Sequence, residues 1–92
     1  MRLTPTKAHV IIYSRAGCHL CEEAKQAIDS AQCANEYTLE EIDIESDGAL
    51  LRRYRHDIPV ITINGEEAFR HKVTPDEFRK RLAVALEKPR IV

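Results

Sequence analysis

Two cysteines three residues apart, Cys18 and Cys21, lie between a run of strand formers and a run of helix formers. The strand-forming run is His9-Val10-Ile11-Ile12-Tyr13, and the helix-forming run extends from Glu22 to Ala31. A Cys-x-x-Cys at a strand-to-helix turn reads as a redox dithiol. No other feature constrains the chain as strongly, because the strand, the turn and the helix must all be built to present that pair. Gly17, in the turn Arg15-Ala16-Gly17, supplies the backbone freedom the turn needs.

The bulk properties exclude several classes. A chain of 92 residues suits one domain, spanning residues 1–92. Such a domain buries roughly two thirds of the surface its unfolded chain exposes. Hydrophobic content of 43% with 32% charged residues is a globular balance, not a disordered one. A net charge of −1 gives no footprint for nucleic acid. No apolar run approaches the ~20 residues that cross a bilayer. Residues 1–7 lack the apolar centre of a secretory signal, so a reducing cytoplasm is the expected compartment, where structural disulfides rarely persist. Three cysteines permit at most one intramolecular disulfide, which rules out a disulfide-framework fold. Nothing in the sequence calls for more than a monomer, and no membrane or nucleic-acid partner is expected.

The rest of the chain reads as alternating elements. His9 to Ser14 is a short, continuous apolar run, expected to be a central strand parallel to a neighbour. A helix follows from about Cys18 to about Ala31, with Ala24, Ile28 and Ala31 on one stripe. Tyr37 to Ile44 is the second strand, and Glu40, Glu41, Asp43 and Glu45 predict that it is open to water. Ser46 and Asp47 can cap a short helix running to about Arg55, buried through Leu50, Leu51 and Tyr54. Ile58 to Ile63 is a third strand that starts at Pro59. Asn64-Gly65 marks a hairpin turn, and Glu66 to Arg70 returns antiparallel. Thr74-Pro75, with Glu77 three residues after Thr74, opens a last helix by a capping box. Phe78, Leu82, Ala85 and Leu86 form its stripe, Arg79-Lys80-Arg81 its wet face, and Lys88-Pro89 its stop. Tyr13 and Tyr37 are expected to pack on the sheet. The order βαβαββα predicts an α/β fold: a four-stranded mixed sheet with three helices on its two faces.

That order, with Cys-x-x-Cys opening the first helix and Ile58-Pro59 before the third strand, resembles the thioredoxin-fold superfamily in its small, glutaredoxin-like branch. The resemblance covers about residues 9–86. The run Tyr13-Ser14-Arg15-Ala16-Gly17-Cys18-His19-Leu20-Cys21-Glu22-Glu23-Ala24 is similar to one family of small glutaredoxin-like proteins. It implies a thiol–disulfide oxidoreductase in which Cys18 attacks and Cys21 resolves. It also implies that Pro59 is cis and that Ile58 and Pro59 shape the substrate groove. No bound cofactor is implied. Electrons would come from glutathione or a thioredoxin-type reductant, and pass to the disulfide of a protein or of glutathione. The chain departs from glutaredoxins proper at two places. His19-Leu20 stands where they carry Pro-Tyr, and Glu66 to Lys72 has no counterpart of their Gly-Gly-Asp-like stretch.

The chemistry rests on a thiolate attacking a disulfide sulfur. An ordinary Cys has a pKa of about 8.5, so few thiols are ionised at neutral pH. A helix N-terminus favours negative charge at Cys18. Arg15 and His19 can add to that effect, while Glu22 and Glu23 oppose it. Arg55 or His56 can contact an anionic partner near Pro59. Two other readings use the same residues. One is a non-catalytic binding module of this fold. The other is a zinc or iron–sulfur carrier in which Cys18 and Cys21 are completed by Cys33, His9, His19, His56 or His71. The sequence favours the dithiol with no metal, and Cys33 as a small buried residue.

Overall fold

The computed structural model describes residues 7–87. The expected stop at Lys88-Pro89 and most of the lead-in lie outside that range. Strand β1 (Ala8–Ser14) follows from the β-branched run at its centre. Helix α1 (His19–Ser30) comes next, then a 3₁₀ turn at Ala34–Glu36 and strand β2 (Tyr37–Asp43). A second 3₁₀ turn, Ile44–Ser46, leads into helix α2 (Gly48–Tyr54). Strands β3 (Val60–Ile63) and β4 (Glu66–Arg70) precede helix α3 (Pro75–Glu87).

The sheet order is β2-β1-β3-β4. Strands β1 and β2 run parallel, with Ala8 opposite Tyr37 and Ser14 opposite Asp43. Strand β3 pairs antiparallel with β1 and with β4. The βαβαββα order and the mixed sheet therefore stand as expected. The hairpin turn has Asn64 at φ 52° and Gly65 at φ 86°, the left-handed pair that a two-residue turn of this kind demands. Between Ile61 and Thr62 the register slips, leaving Ala68 as the extra residue on β4.

Alternation along the strands divides the core in two. Ala8, Val10 and Ile12 of β1 and Ile61 and Ile63 of β3 face α1 and α3. They meet Ala24, Ile28 and Ala31 from α1 and Phe78 and Leu82 from α3. On the other face Tyr13 and Val60 meet α2 through Tyr54, Leu50 and Leu51, with Ile44 and Ile58 alongside. Each fully buried large apolar side chain contributes about 1.5–3 kcal/mol, which fixes α1 and α3 to one face and α2 to the other.

Four details differ from the sequence reading. Ile44 does not end β2; it starts the 3₁₀ turn and is completely buried under α2. The Ser46 hydroxyl donates to the Asp43 carbonyl (2.6 Å), so Asp47 alone caps α2, accepting from the Ala49 N–H at 2.8 Å. Strand β3 begins at Val60, so Ile58 and Pro59 form the approach to it. Leu86 is exposed instead of closing the α3 stripe, which ends with Ala85 packed against the core.

Candidate active site

The turn after β1 is closed by the Cys18 N–H donating to the Arg15 carbonyl at 3.2 Å, with Gly17 at φ 79°. Helix α1 starts one residue later than expected, and Cys18 is its N-cap. An N-cap side chain accepts from one of the helix's orphan amides. Here the acceptor is sulfur: Cys18 Sγ takes the Cys21 N–H at 3.1 Å. The two cysteines are joined in a disulfide, with Cα atoms 5.2 Å apart. Their burial is unequal. Cys21, in the first turn of α1, is 1% exposed, whereas Cys18 is only partly covered. A reagent in solution therefore reaches Cys18 first.

The charged neighbours of the motif are engaged with carboxylates. Arg15 reaches Glu45 at 2.6 Å and ties the turn to the segment after β2. His19 pairs with Glu23 one turn on, at 2.8 Å, and its side chain is 86% exposed. Arg55 caps the C-terminal end of α2, and both it and His56 are exposed. The Ile58–Pro59 peptide bond is cis, the form the resemblance implies. Pro59 is fully buried. Tyr13 lies opposite Val60, so Pro59 comes beside the C-terminal end of β1, where the dithiol turn departs. The topology thus brings Cys18, Cys21, Ile58 and Pro59 to one end of the sheet.

Three features there carry little signal in the sequence. The His71 N–H donates to the Pro59 carbonyl at 2.8 Å, with His71 at φ 69°, a left-handed conformation that costs a non-glycine residue energy. Asp57 receives Arg70 at 3.0 Å and lies 3.9 Å from His71, so the segment before Pro59 and the one after β4 are stitched together. Beside the dithiol's strand, the Ser14 hydroxyl donates to Glu41 at 2.7 Å, and Lys25 of α1 reaches the same carboxylate at 3.2 Å. Ser14's hydrogen bond, with Lys25 behind it, holds the Glu41 carboxyl below its ordinary range. Lys25 is in turn held protonated by Glu22 and Glu41. On the opposite face Tyr13 stacks on Tyr54 with ring centres 4.9 Å apart, and burial pushes the Tyr13 hydroxyl's pKa up. Apart from the Glu22–Lys25 pair, one turn apart on α1, none of these contacts is local in sequence, and only the alternation that puts Ser14 on the face of Ile12 gives a partial signal.

Cys33 is free and buried, its thiol donating to the Ala31 carbonyl at 3.4 Å. Among the described residues no group of three or more His, Cys, Asp or Glu side chains is arranged to hold a metal ion. No helix among them is long and apolar enough to cross a membrane.

Known proteins are similar to this chain in sequence and in fold. The profile of a family described as Glutaredoxin-like domain matches residues 9–83. The Glutaredoxin-like protein YDR286C homolog of Dictyostelium discoideum is 31% identical over 75 residues, which cover 75% of this chain and 69% of that protein. The X-ray structure of protein XcR50 from X. campestris superposes with a TM-score of 0.72 at 26% identity, covering 82% of this chain and 96% of that one. A variant thioredoxin from Halobacterium salinarum superposes with a TM-score of 0.61 at 15% identity, covering 92% and 80%, a likeness of fold alone. With a paired Cys-x-x-Cys at the mouth of α1 and a family match that runs from β1 into α3, the chain belongs to the glutaredoxin-like family of thioredoxin-fold proteins.

Proposed function

We propose that the protein is a dithiol thiol–disulfide oxidoreductase in which Cys18 is the nucleophile and Cys21 the resolving thiol. The observation that carries this reading is the sulfur of Cys18 capping α1 on the Cys21 amide, with Cys21 buried behind it. The amide that meets a neutral sulfur in the disulfide can meet a thiolate after reduction, and a helix N-terminus favours that charge by about 0.3–1 kcal/mol. That preference lowers the reduced thiol's pKa from its ordinary value.

In the forward step the Cys18 thiolate attacks one sulfur of a substrate disulfide. A Cys18–substrate disulfide forms, and the other substrate sulfur leaves as a thiolate that takes a proton from solvent. Cys21 then loses its proton and attacks Cys18 Sγ. The second substrate thiolate leaves, and the Cys18–Cys21 disulfide remains. Two electrons have passed from the protein dithiol to the substrate. Glutathione or a thioredoxin-type reductant in a reducing cytoplasm would return the pair to the dithiol. Ile58 and Pro59 form the wall of the groove; Arg15 and His19 adjust the charge at its mouth.

Mixing the reduced protein with bis(2-hydroxyethyl) disulfide and counting released thiols tests the reading. Wild type is expected to release two thiols per chain in a single turnover, and Cys18→Ser none. Alkylation of Cys18 against pH should give a midpoint below the ordinary ~8.5. Tight zinc binding with no exchange would instead establish the metal-carrier alternative.

A further inference from the structure

The dithiol's neighbourhood carries an unevenly distributed charge. Between residues 36 and 47 there are six carboxylates and no cation. That stretch holds β2, the edge strand farthest from β4 in the sheet. Toward β4, at the same end of the sheet, two basic segments meet. One is Arg53-Tyr54-Arg55-His56 at the end of α2, and the other is Arg70-His71-Lys72 at the end of β4. Pro59 lies between them, because its carbonyl accepts the His71 N–H and its neighbour Val60 pairs with Arg70.

The cations differ in how well they are neutralised. Arg70 is shared by Asp57 at 3.0 Å and by Glu67. The Arg53 guanidinium lies over the Tyr54 ring, 5.3 Å from its centre. Among the described residues Arg53, Arg55 and Lys72 have no carboxylate within ion-pair distance. All three are exposed. Three such cations on two separate chain segments flank Pro59 in a chain whose net charge is −1. Such segregation attracts a partner of opposite sign and orients it before contact.

We infer that Arg53, Arg55 and Lys72 form a basic collar that recognises acidic side chains flanking the disulfide of a protein substrate. This deepens the oxidoreductase reading and rests on it. An extended acidic segment can reach both chain segments across Pro59 at once.

The test compares two cystine peptides of equal length, one with Asp and Glu around the disulfide and one with Lys. The reduced full chain reacts with each in single turnover. Each reaction oxidises Cys18 and Cys21 to their disulfide and reduces one peptide disulfide to two thiols. The acidic peptide should react about tenfold faster at low ionic strength, and the gap should close as salt shortens the screening length to a few ångströms at about 1 M. In the double variant Arg55→Glu, Lys72→Glu the ratio of the two rates should invert. Because that ratio is taken within one protein, a general loss of folding or thiol reactivity cancels.

Equal rates for both peptides, or a preference indifferent to salt, overturn the collar. If bis(2-hydroxyethyl) disulfide still reacts in that case, the oxidoreductase reading survives alone. If no disulfide reacts, both readings fall. Oxidised glutathione serves as a further arm. Should it outrun the acidic peptide and lose its advantage in the double variant, the collar serves a small anionic disulfide and the protein-substrate assignment is overturned.

Discussion

Cys18 and Cys21 share one chemistry and differ in access, and that difference divides the labour between them. Cys21, buried on the inner side of the first turn of α1, has no route to an external disulfide until Cys18 has brought one to it. Replacing Cys21 by Ser should therefore leave the first attack intact and block release. The expected product is a stable adduct of Cys18 with one substrate half, visible as the added mass in denaturing mass spectrometry. An unmodified protein after exposure to bis(2-hydroxyethyl) disulfide would reverse the assigned roles. A second residue-scale prediction concerns Ser14, whose hydroxyl donates to Glu41 at 2.7 Å. Ser14 is 3% exposed, and removing the donor strips a partly covered carboxylate of a partner. Ser14→Ala should cost about 1 kcal/mol at pH 7. Glu41 has a depressed pKa in the folded state, so its contribution is present above the unfolded value of 4.5 and is lost as pH falls through the lower folded value. Urea titrations of both proteins should accordingly converge as pH falls below 4.5. A gap that widened in acid would contradict the role given to this hydrogen bond. The cysteines were legible because their spacing is itself the chemistry. Ser14 with Glu41 was not, because the pairing depends on the parallel register of β1 with β2, which no short stretch encodes.

At the scale of elements, the features read correctly from sequence are those written locally. The capping box of α3 is complete: the Glu77 N–H donates to the Thr74 hydroxyl at 3.1 Å, and the Thr74 N–H to the Glu77 carboxylate at 3.0 Å. Both partners lie within one turn, so Thr-Pro-x-Glu identifies the helix start without knowledge of the fold. Thr74→Ala should lower stability by about 1 kcal/mol, read as a smaller urea midpoint at unchanged slope. The Asn64-Gly65 turn is equally local. Space around Gly65 is open to a Cβ, so only its φ of 86° opposes a side chain. Elements set by distant partners were harder to place. Ile44 sits on the alternation of β2 yet turns out of the sheet, since burial under Tyr54 and Leu51 outweighs one more strand pair. Arg79 donates from α3 to the Ala31 carbonyl at 3.1 Å and so satisfies the end of α1, a contact across 48 residues that periodicity does not reveal. The approach to β3 is the same kind of case. Ile58-Pro59 before an apolar run is a local signal, whereas the His71 N–H that closes on the Pro59 carbonyl arrives from beyond β4.

For the molecule as a whole, the question is how a small chain holds a reactive turn in place. Total stability for 92 residues is expected near 5–14 kcal/mol at about 0.05–0.15 kcal/mol per residue. One side chain accounts for a large part of that margin. Phe78 is completely buried and meets the Tyr37 ring edge-on, with centres 5.3 Å apart. It joins α3 to the core that also holds Ala24 and Ile28 of α1, the helix whose mouth carries the dithiol. Truncation to Ala typically costs about 3–5 kcal/mol, enough to unfold a detectable share of the protein if the total lies at the lower end. Val84, on the same helix, is 48% exposed and has no such role. Val84→Ala should stay within about 0.5 kcal/mol of wild type. Urea unfolding of Phe78→Ala, Val84→Ala and wild type separates the cases, and thiol release at low urea should track the folded fraction of each. If Phe78→Ala lost stability yet kept full thiol release where it is mostly unfolded, Cys18 would react without the helix beneath it. The sulfur's reactivity would then owe nothing to the fold, whereas a release that falls with the folded fraction ties the chemistry to the packing of α1 against α3.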